Sequence, residues 1–206
     1  MARRRTDLAP RIVAAAREKF LSQGVDGASL REIAREAGTN IGMVYYYFPT
    51  KDDLLLAVVE EIYAGMASDI RSALSREAPL DERIRALYAR IAAMSDEEFT
   101  VIRIVLREAL VSSDRLRKLF GRFSREGGHV QLIASTVLSG IEGGVLRADV
   151  HPLLGMVATM ALGFLPVVAR RLALSAIPGV ELPRPDEMAA NLTRTLLEGI
   201  GAKVSP

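Results

Sequence analysis

The chain has 206 residues, half of them hydrophobic, with 27 basic and 25 acidic side chains, two histidines and no cysteine. That is enough apolar material for a substantial core, as one compact body or as a small domain beside a larger one. The lack of cysteine excludes a disulfide framework, a zinc–cysteine centre and a thiol redox sensor.

The near balance of charge hides an asymmetry. Between Met1 and Lys51 there are nine basic and five acidic side chains, a net +4, which leaves −2 for the remainder. A positive field is therefore concentrated at the N-terminal end, as a nucleic-acid partner requires. Arg3-Arg4-Arg5 precedes the first helix and suits an arm reaching phosphates or a minor groove, or equally a solvated tail. No apolar h-region or small-residue cleavage site follows Met1, so a cytoplasmic location is expected.

Ser29 and Glu32 have capping-box spacing and open a helix whose Ile33, Ala34 and Ala37 share one face. Gly38 ends it in the left-handed conformation, and Asn40 caps the next helix, which runs to about Phe48. Pro49 breaks that helix and Thr50 recaps the chain before Lys51. Two short helices, a tight turn and a third helix are the outline of a helix-turn-helix. In the second of them Ile41, Val44, Tyr45 and Phe48 form a stripe expected to pack inward. Asn40, Gly42, Met43, Tyr46 and Tyr47 occupy the remaining circumference, where Lys or Glu would be usual on a solvated helix. A wholly structural reading makes the YYYF run part of a core, but it leaves the Gly42 and Tyr46/Tyr47 face unexplained.

Ala34-x-x-x-Gly38, Asn40, Gly42, Val44-Tyr45-Tyr46-Tyr47-Phe48, Lys51 and Leu54-Leu55 together resemble the DNA-binding signature of the TetR family of transcriptional regulators, over roughly Ala9 to Val59. The resemblance implies that Ser29 and Arg31 lie near phosphates at the start of a positioning helix. It places Thr39, Asn40, Ile41, Gly42 and Met43 at base edges or the nearby backbone, and Tyr45, Tyr46, Tyr47 and Lys51 at phosphates and adjacent bases. Ile41 stands where many members carry Lys or Arg. It can touch a thymine methyl but donates no hydrogen bond, so it cannot recognise guanine.

Beyond this unit every segment reads as helix, so the fold class is all-α: a three-helix DNA-binding domain over 1–51 and a helical ligand-binding and dimerisation domain over 52–206. Leu54, Val58, Ile62, Met66 and Ile70 recur every four residues in a helix that continues to about Arg76. A second helix spans about Asp81 to Met94, and Ser95 with Glu98 opens another that carries Val101, Ile102, Val105, Leu106 and Ala109. Asp114 opens a segment through Phe120 and Phe123, and an apolar run follows from Val130 to Ile141. The last two helices start near Leu153 and after Pro185.

Pro152 to Ala169 contains no charge and is a marginal membrane span by length. Gly155, Gly163 and Pro166 are expected to interrupt it. By the resemblance, the last two long helices form a homodimer interface, in which Gly155, Ala158, Ala161 and Gly163 permit close approach; burial within the monomer is the other account of part of the run. The resemblance also gives the middle helices a small apolar effector. Tyr88, Met94, Phe120, Phe123, Met156 and Phe164 are candidate lining residues, or ordinary core. Arg103 and Arg107 could meet an anionic ligand, face water, or, for Arg107, pair with an acid.

His129 and His151 are isolated, and no cluster has metal-ligand spacing. No nucleophile elbow or phosphate-binding glycine loop occurs, so neither an enzyme nor a cofactor is expected. The implied function is a homodimeric regulator, most often a repressor, that binds a palindromic double-stranded operator and is released by its effector. A helical binding protein that has lost DNA recognition and a membrane-inserted helical protein are the alternatives.

Overall fold

The structure is a computed structural model that describes residues 8–111, 114–115, 117–118, 121, 128–172 and 183–200. Those residues form helices and connecting turns with no strand. In chain order the helices are α1 (Leu8–Gly27), α2 (Leu30–Glu36), α3 (Ile41–Tyr47), α4 (Lys51–Ser75), α5 (Leu80–Ala92), α6 (Asp96–Val111), α7 (His129–Glu142), α8 (Pro152–Leu172) and α9 (Pro185–Ile200). They fall into two compact units, one of Met1–Gly65 with Ser95–Arg122, the other of Met66–Met94 with Phe123–Pro206. The chain breaks between α3 and α4 at Phe48–Thr50, and α4 then runs unbroken for 25 residues.

In the first unit, Ile12, Val13, Ala16 and Phe20 of α1 are buried at helical spacing with Ile33 and Ala34 of α2 and Val44 of α3. Leu54, Leu55, Val58 and Val59 of α4 join this core, as do Phe99, Val101 and Ile104 of α6. The helical run of α1 bends at Gly24, whose φ of 77° few side chains tolerate. A Cβ there would lie 2.5 Å from the Arg107 guanidinium, which crosses this spot and donates from Nη2 to the Gln23 carbonyl at 3.4 Å. Arg107 therefore meets a backbone carbonyl where the sequence allows an acidic partner.

In the second unit, α5 packs on α9 and α8, and α8 also packs on α7 and α9. Tyr88 is buried in α5 and donates its hydroxyl to the Thr159 carbonyl of α8 at 3.1 Å. One expectation for α8 is corrected. It continues through Gly155, Gly163 and Pro166 as one helix of 21 residues. Its glycines also serve packing inside this unit: a Cβ on Gly155 would lie 2.9 Å from Val137, and one on Gly163 within 3.1 Å of Ile91 and Tyr88. Among the described residues α8 is the one helix long and apolar enough to cross a membrane, yet this row along it is occupied by α5 and α7.

Candidate nucleic-acid interface

The turn between α2 and α3 is fixed by backbone geometry. Ala37 N–H bonds the Ile33 carbonyl at 2.9 Å, and Thr39 N–H reaches back to the Ala34 carbonyl at 2.9 Å. Between them Gly38 takes φ 66°, and a Cβ on it would strike the Arg11 guanidinium. Asn40 then caps α3, its Oδ1 accepting from Met43 N–H at 3.0 Å. Downstream, Thr50 and Asp53 cap α4 reciprocally: Thr50 N–H donates to Asp53 Oδ2 at 3.0 Å and Asp53 N–H to Thr50 Oγ1 at 3.1 Å.

Two sequence expectations change here. Ser29 is the N-cap residue of α2, but its side chain makes no cap hydrogen bond. The Glu32 carboxylate lies 3.8 Å from Lys19 Nζ, and the capping box does not form. The same spacing at Ser95 and Glu98 does form the reciprocal pair, at 2.8 and 3.2 Å. Tyr45, expected to pack inward, is 50% exposed, while Ile41 and Phe48 are half-buried and Val44 alone of the stripe is fully buried. A seven-residue helix lying on α2 hides one narrow line of side chains, which is too little to enclose a tyrosine on the shoulder.

The outward surface of α3 is formed by Asn40, Gly42, Tyr45 and Tyr46, the last 71% exposed, with Met43 and Tyr47 half-buried at its edge. Tyr47 is edge-on to Tyr46, ring centroids 5.2 Å apart. Gly42 serves the cap as well as the surface, since a Cβ on it would lie 3.1 Å from Asn40 Oδ1. Thr39 and Ser29 are half-buried and Arg31 is exposed. Lys51 donates from Nζ to the carbonyls of Val25 at 2.9 Å and Asp26 at 3.1 Å, closing the C-terminal end of α1 onto the start of α4.

Beside this junction lies a cluster that no local pattern in the sequence signals. Arg115 holds Asp26 through Nη2, Asp52 through Nε at 3.0 Å and Glu108 through Nη1 at 2.8 Å, and Lys118 Nζ holds Asp52 at 2.7 Å. Glu108 is 2% exposed, and the Arg115 guanidinium is its ion-pair partner there. Hydrogen bonds from Lys118 and Arg115 hold the Asp52 carboxyl below the usual carboxylate range. A cavity of about 580 Å³ opens beside the cluster, lined by Asp26, Asp52, Asp114, Arg117 and Lys118 among others, an ionic lining unlike that expected around an apolar effector.

The candidate effector residues differ in burial. Tyr88 and Met94 are core, Met156 and Phe164 are half-buried on α8, and Arg103 is an exposed residue of the other unit. Phe120 and Phe123 lie outside the described residues.

Residues 12–58 match the family model described as bacterial regulatory proteins, tetR family, and every candidate DNA-facing residue falls inside that stretch. The chain is 28% identical over 115 residues to the probable HTH-type transcriptional regulator YttP of Bacillus subtilis, covering 55% of this chain and 56% of YttP. It is 31% identical over 115 residues to TtgW of Pseudomonas putida, an uncharacterized HTH-type transcriptional regulator, covering 55% of this chain and 86% of TtgW. The chain belongs to the TetR family. It spans about half the length of most of the curated relatives it matches. The TetR-family fold extends beyond the matched stretch: the transcriptional regulator FadR from Bacillus subtilis, in complex with stearoyl-CoA, superposes with a TM-score of 0.72 at 17% identity, over 92% of this chain and 98% of FadR.

Proposed function

We propose that this TetR-family chain is a cytoplasmic transcriptional repressor that binds a palindromic operator as a homodimer and releases it when a small apolar effector binds. The observation that carries the reading is the outward face of α3, where Gly42, Tyr45 and Tyr46 are held in water by a helix whose other side is anchored through Val44. A second helix of this geometry enters a major groove, and tyrosine hydroxyls bond phosphates. In this reading Ser29, Arg31, Thr39 to Met43, Tyr45 to Tyr47 and Lys51 make the contact. Lys51 has committed Nζ to Val25 and Asp26, so it acts first as a clamp that positions α4 against α1.

The dimer rests on α8. Leu153, Leu154, Val157 and Leu165 are exposed along one side of it, with Ala158 and Ala161 half-buried between them. Such a stripe fits a self-complementary seam around a two-fold axis. On α9 the exposed residues include Asn191, Arg194, Thr195 and Glu198, which suit the rim of that seam. The membrane alternative is weaker, because Gly155, Thr159 and Gly163 on α8 are already used against α5 and α7. The acyl chain bound by FadR makes acyl thioesters the first effector class to screen.

The test is a gel shift on a promoter-length duplex with non-specific competitor, run with and without an acyl-CoA panel. A retarded band of dimer stoichiometry that a panel member dissolves is expected. Retardation abolished equally by any competitor DNA would leave only non-specific binding.

A further inference from the structure

The chemistry exposed on α3 bears on which DNA it reads. From Ala37 to Thr50 the chain carries no charged side chain at all. The basic groups near it lie on flanking elements: Arg31 and Arg35 are exposed on α2, and Lys51 Nζ is bound to two carbonyls. No guanidinium or ammonium therefore projects from the recognition helix itself. Guanine is most often specified in the major groove by a bidentate Arg or a Lys at O6 and N7, and α3 has neither. Asn40 is constrained too. Its Oδ1 faces Met43 N–H, and Gly42 leaves just the room that this arrangement needs, so the outward group of Asn40 is its Nδ2 donor.

Besides that donor, what α3 offers toward base edges at this end is aliphatic. Met43 and Ile41 stand half-buried on either shoulder of the exposed Gly42 backbone, at the N-terminal end that approaches base edges. In the major groove the one apolar feature is the C5-methyl of thymine. Tyr45 and Tyr46, a turn further on, have hydroxyls suited to the phosphates that flank such a contact.

We infer that each half-site is read by α3 as a thymine-centred step, through C5-methyl contacts from Ile41 and Met43, with no guanine-specifying pair beneath the helix. This rests on the DNA-binding reading above and adds the chemical class of sequence recognised. Any guanine preference would then lie outside the steps covered by α3, under flanking elements.

The native chain should be used to select bound sequences from random duplexes, and the selected site resynthesised with uracil for thymine at each conserved position in turn. Uracil pairs as thymine does and lacks only the methyl. Conserved T·A pairs near the centre of each half-site are expected, with uracil weakening binding about fourfold per methyl at one or two of them. In parallel, Ile41→Arg should shift the selected base at one of these positions toward guanine. Invariant guanine at the half-site centre, or full affinity with every uracil duplex, overturns the inference while leaving sequence-specific binding standing. If no sequence is enriched, the regulatory reading itself fails, and this inference with it.

Discussion

Among the described residues the outer faces of α3 and α8 both expose large non-polar side chains to water, and they differ in one respect. The outer face of α3 shows tyrosines, each with an apolar ring and a polar tip, around a glycine. The outer face of α8 shows Leu153, Leu154, Val157 and Leu165, which have no polar atom beyond the backbone. A ring with a hydroxyl suits a partner that is apolar in places and charged in others, as a nucleic-acid groove is. An aliphatic stripe gains only from a dry partner. Exposure alone thus does not tell the two kinds of interface apart, whereas the polar tip does.

The comparison breaks most visibly if the aliphatic face is charged. The double variant Leu154→Glu/Leu165→Glu should sediment as a folded monomer, with a melting temperature that is lower and no longer depends on protein concentration, because the stabilisation from dimerisation is lost. Operator affinity should fall by about two orders of magnitude, since two linked half-sites become two independent ones. A dimer that persists would place the seam elsewhere.

Acid should loosen the second unit next. His129 is buried at the start of α7, and burial lowers its pKa to about 4. The neutral form is the one that folds, so its contribution is fully present above the unfolded value near 6.5 and is lost as pH falls through 4. The loss approaches about 3 kcal/mol. Urea melts between pH 7 and 4 should show this slope, and His129→Gln should flatten it.

Two glycines give a smaller, paired effect. Gly163→Ala brings a methyl within 3.1 Å of Ile91 and Tyr88, costing about 1–2 kcal/mol of stability. Gly42→Ala, with its methyl 3.1 Å from Asn40 Oδ1, should cost at most about 1 kcal/mol of stability and be felt mainly in DNA affinity. Thermal melts together with binding curves on both variants separate the two roles. Tyr46→Phe removes one exposed hydroxyl, so melting should be unchanged while operator binding weakens by about 1 kcal/mol. The smallest effect is on α4: a methyl at Gly65 meets nothing within 4 Å, and Gly65→Ala should add about 0.5–1 kcal/mol to stability.

Periodicity and capping chemistry carry most of the helical architecture. Of the row Leu54, Val58, Ile62, Met66 and Ile70, all are buried except Ile62, which is half-buried, and Asn40 and Ser95 cap as their patterns imply. The same pattern at Ser29 does not form its side-chain bonds, and Glu32 lies instead beside Lys19, 13 positions upstream. Spacing assigns Tyr45 to a packed stripe because it defines a direction around a helix and says nothing of how far a neighbour reaches over it. The Arg115 cluster is invisible in sequence for another reason: its partners are separated by 89, 63 and 7 positions, and long-range ion pairs leave no periodic trace. The effector lining is legible only as a set of apolar side chains, since Tyr88 and Met94 look the same in sequence whether they face a ligand or a core.

That cluster also sets an order of events during synthesis. Asp26 and Asp52 leave the ribosome with the helix-turn-helix, but the guanidinium that joins them belongs to a residue made 63 positions after Asp52. The buried Phe99, Val101 and Ile104 of the same unit arrive late as well. A nascent chain ending near residue 60 therefore holds the whole DNA-facing surface without the side chains that complete its core. The packing of this unit as described is complete only once α6 has been translated, after about half of the chain has emerged.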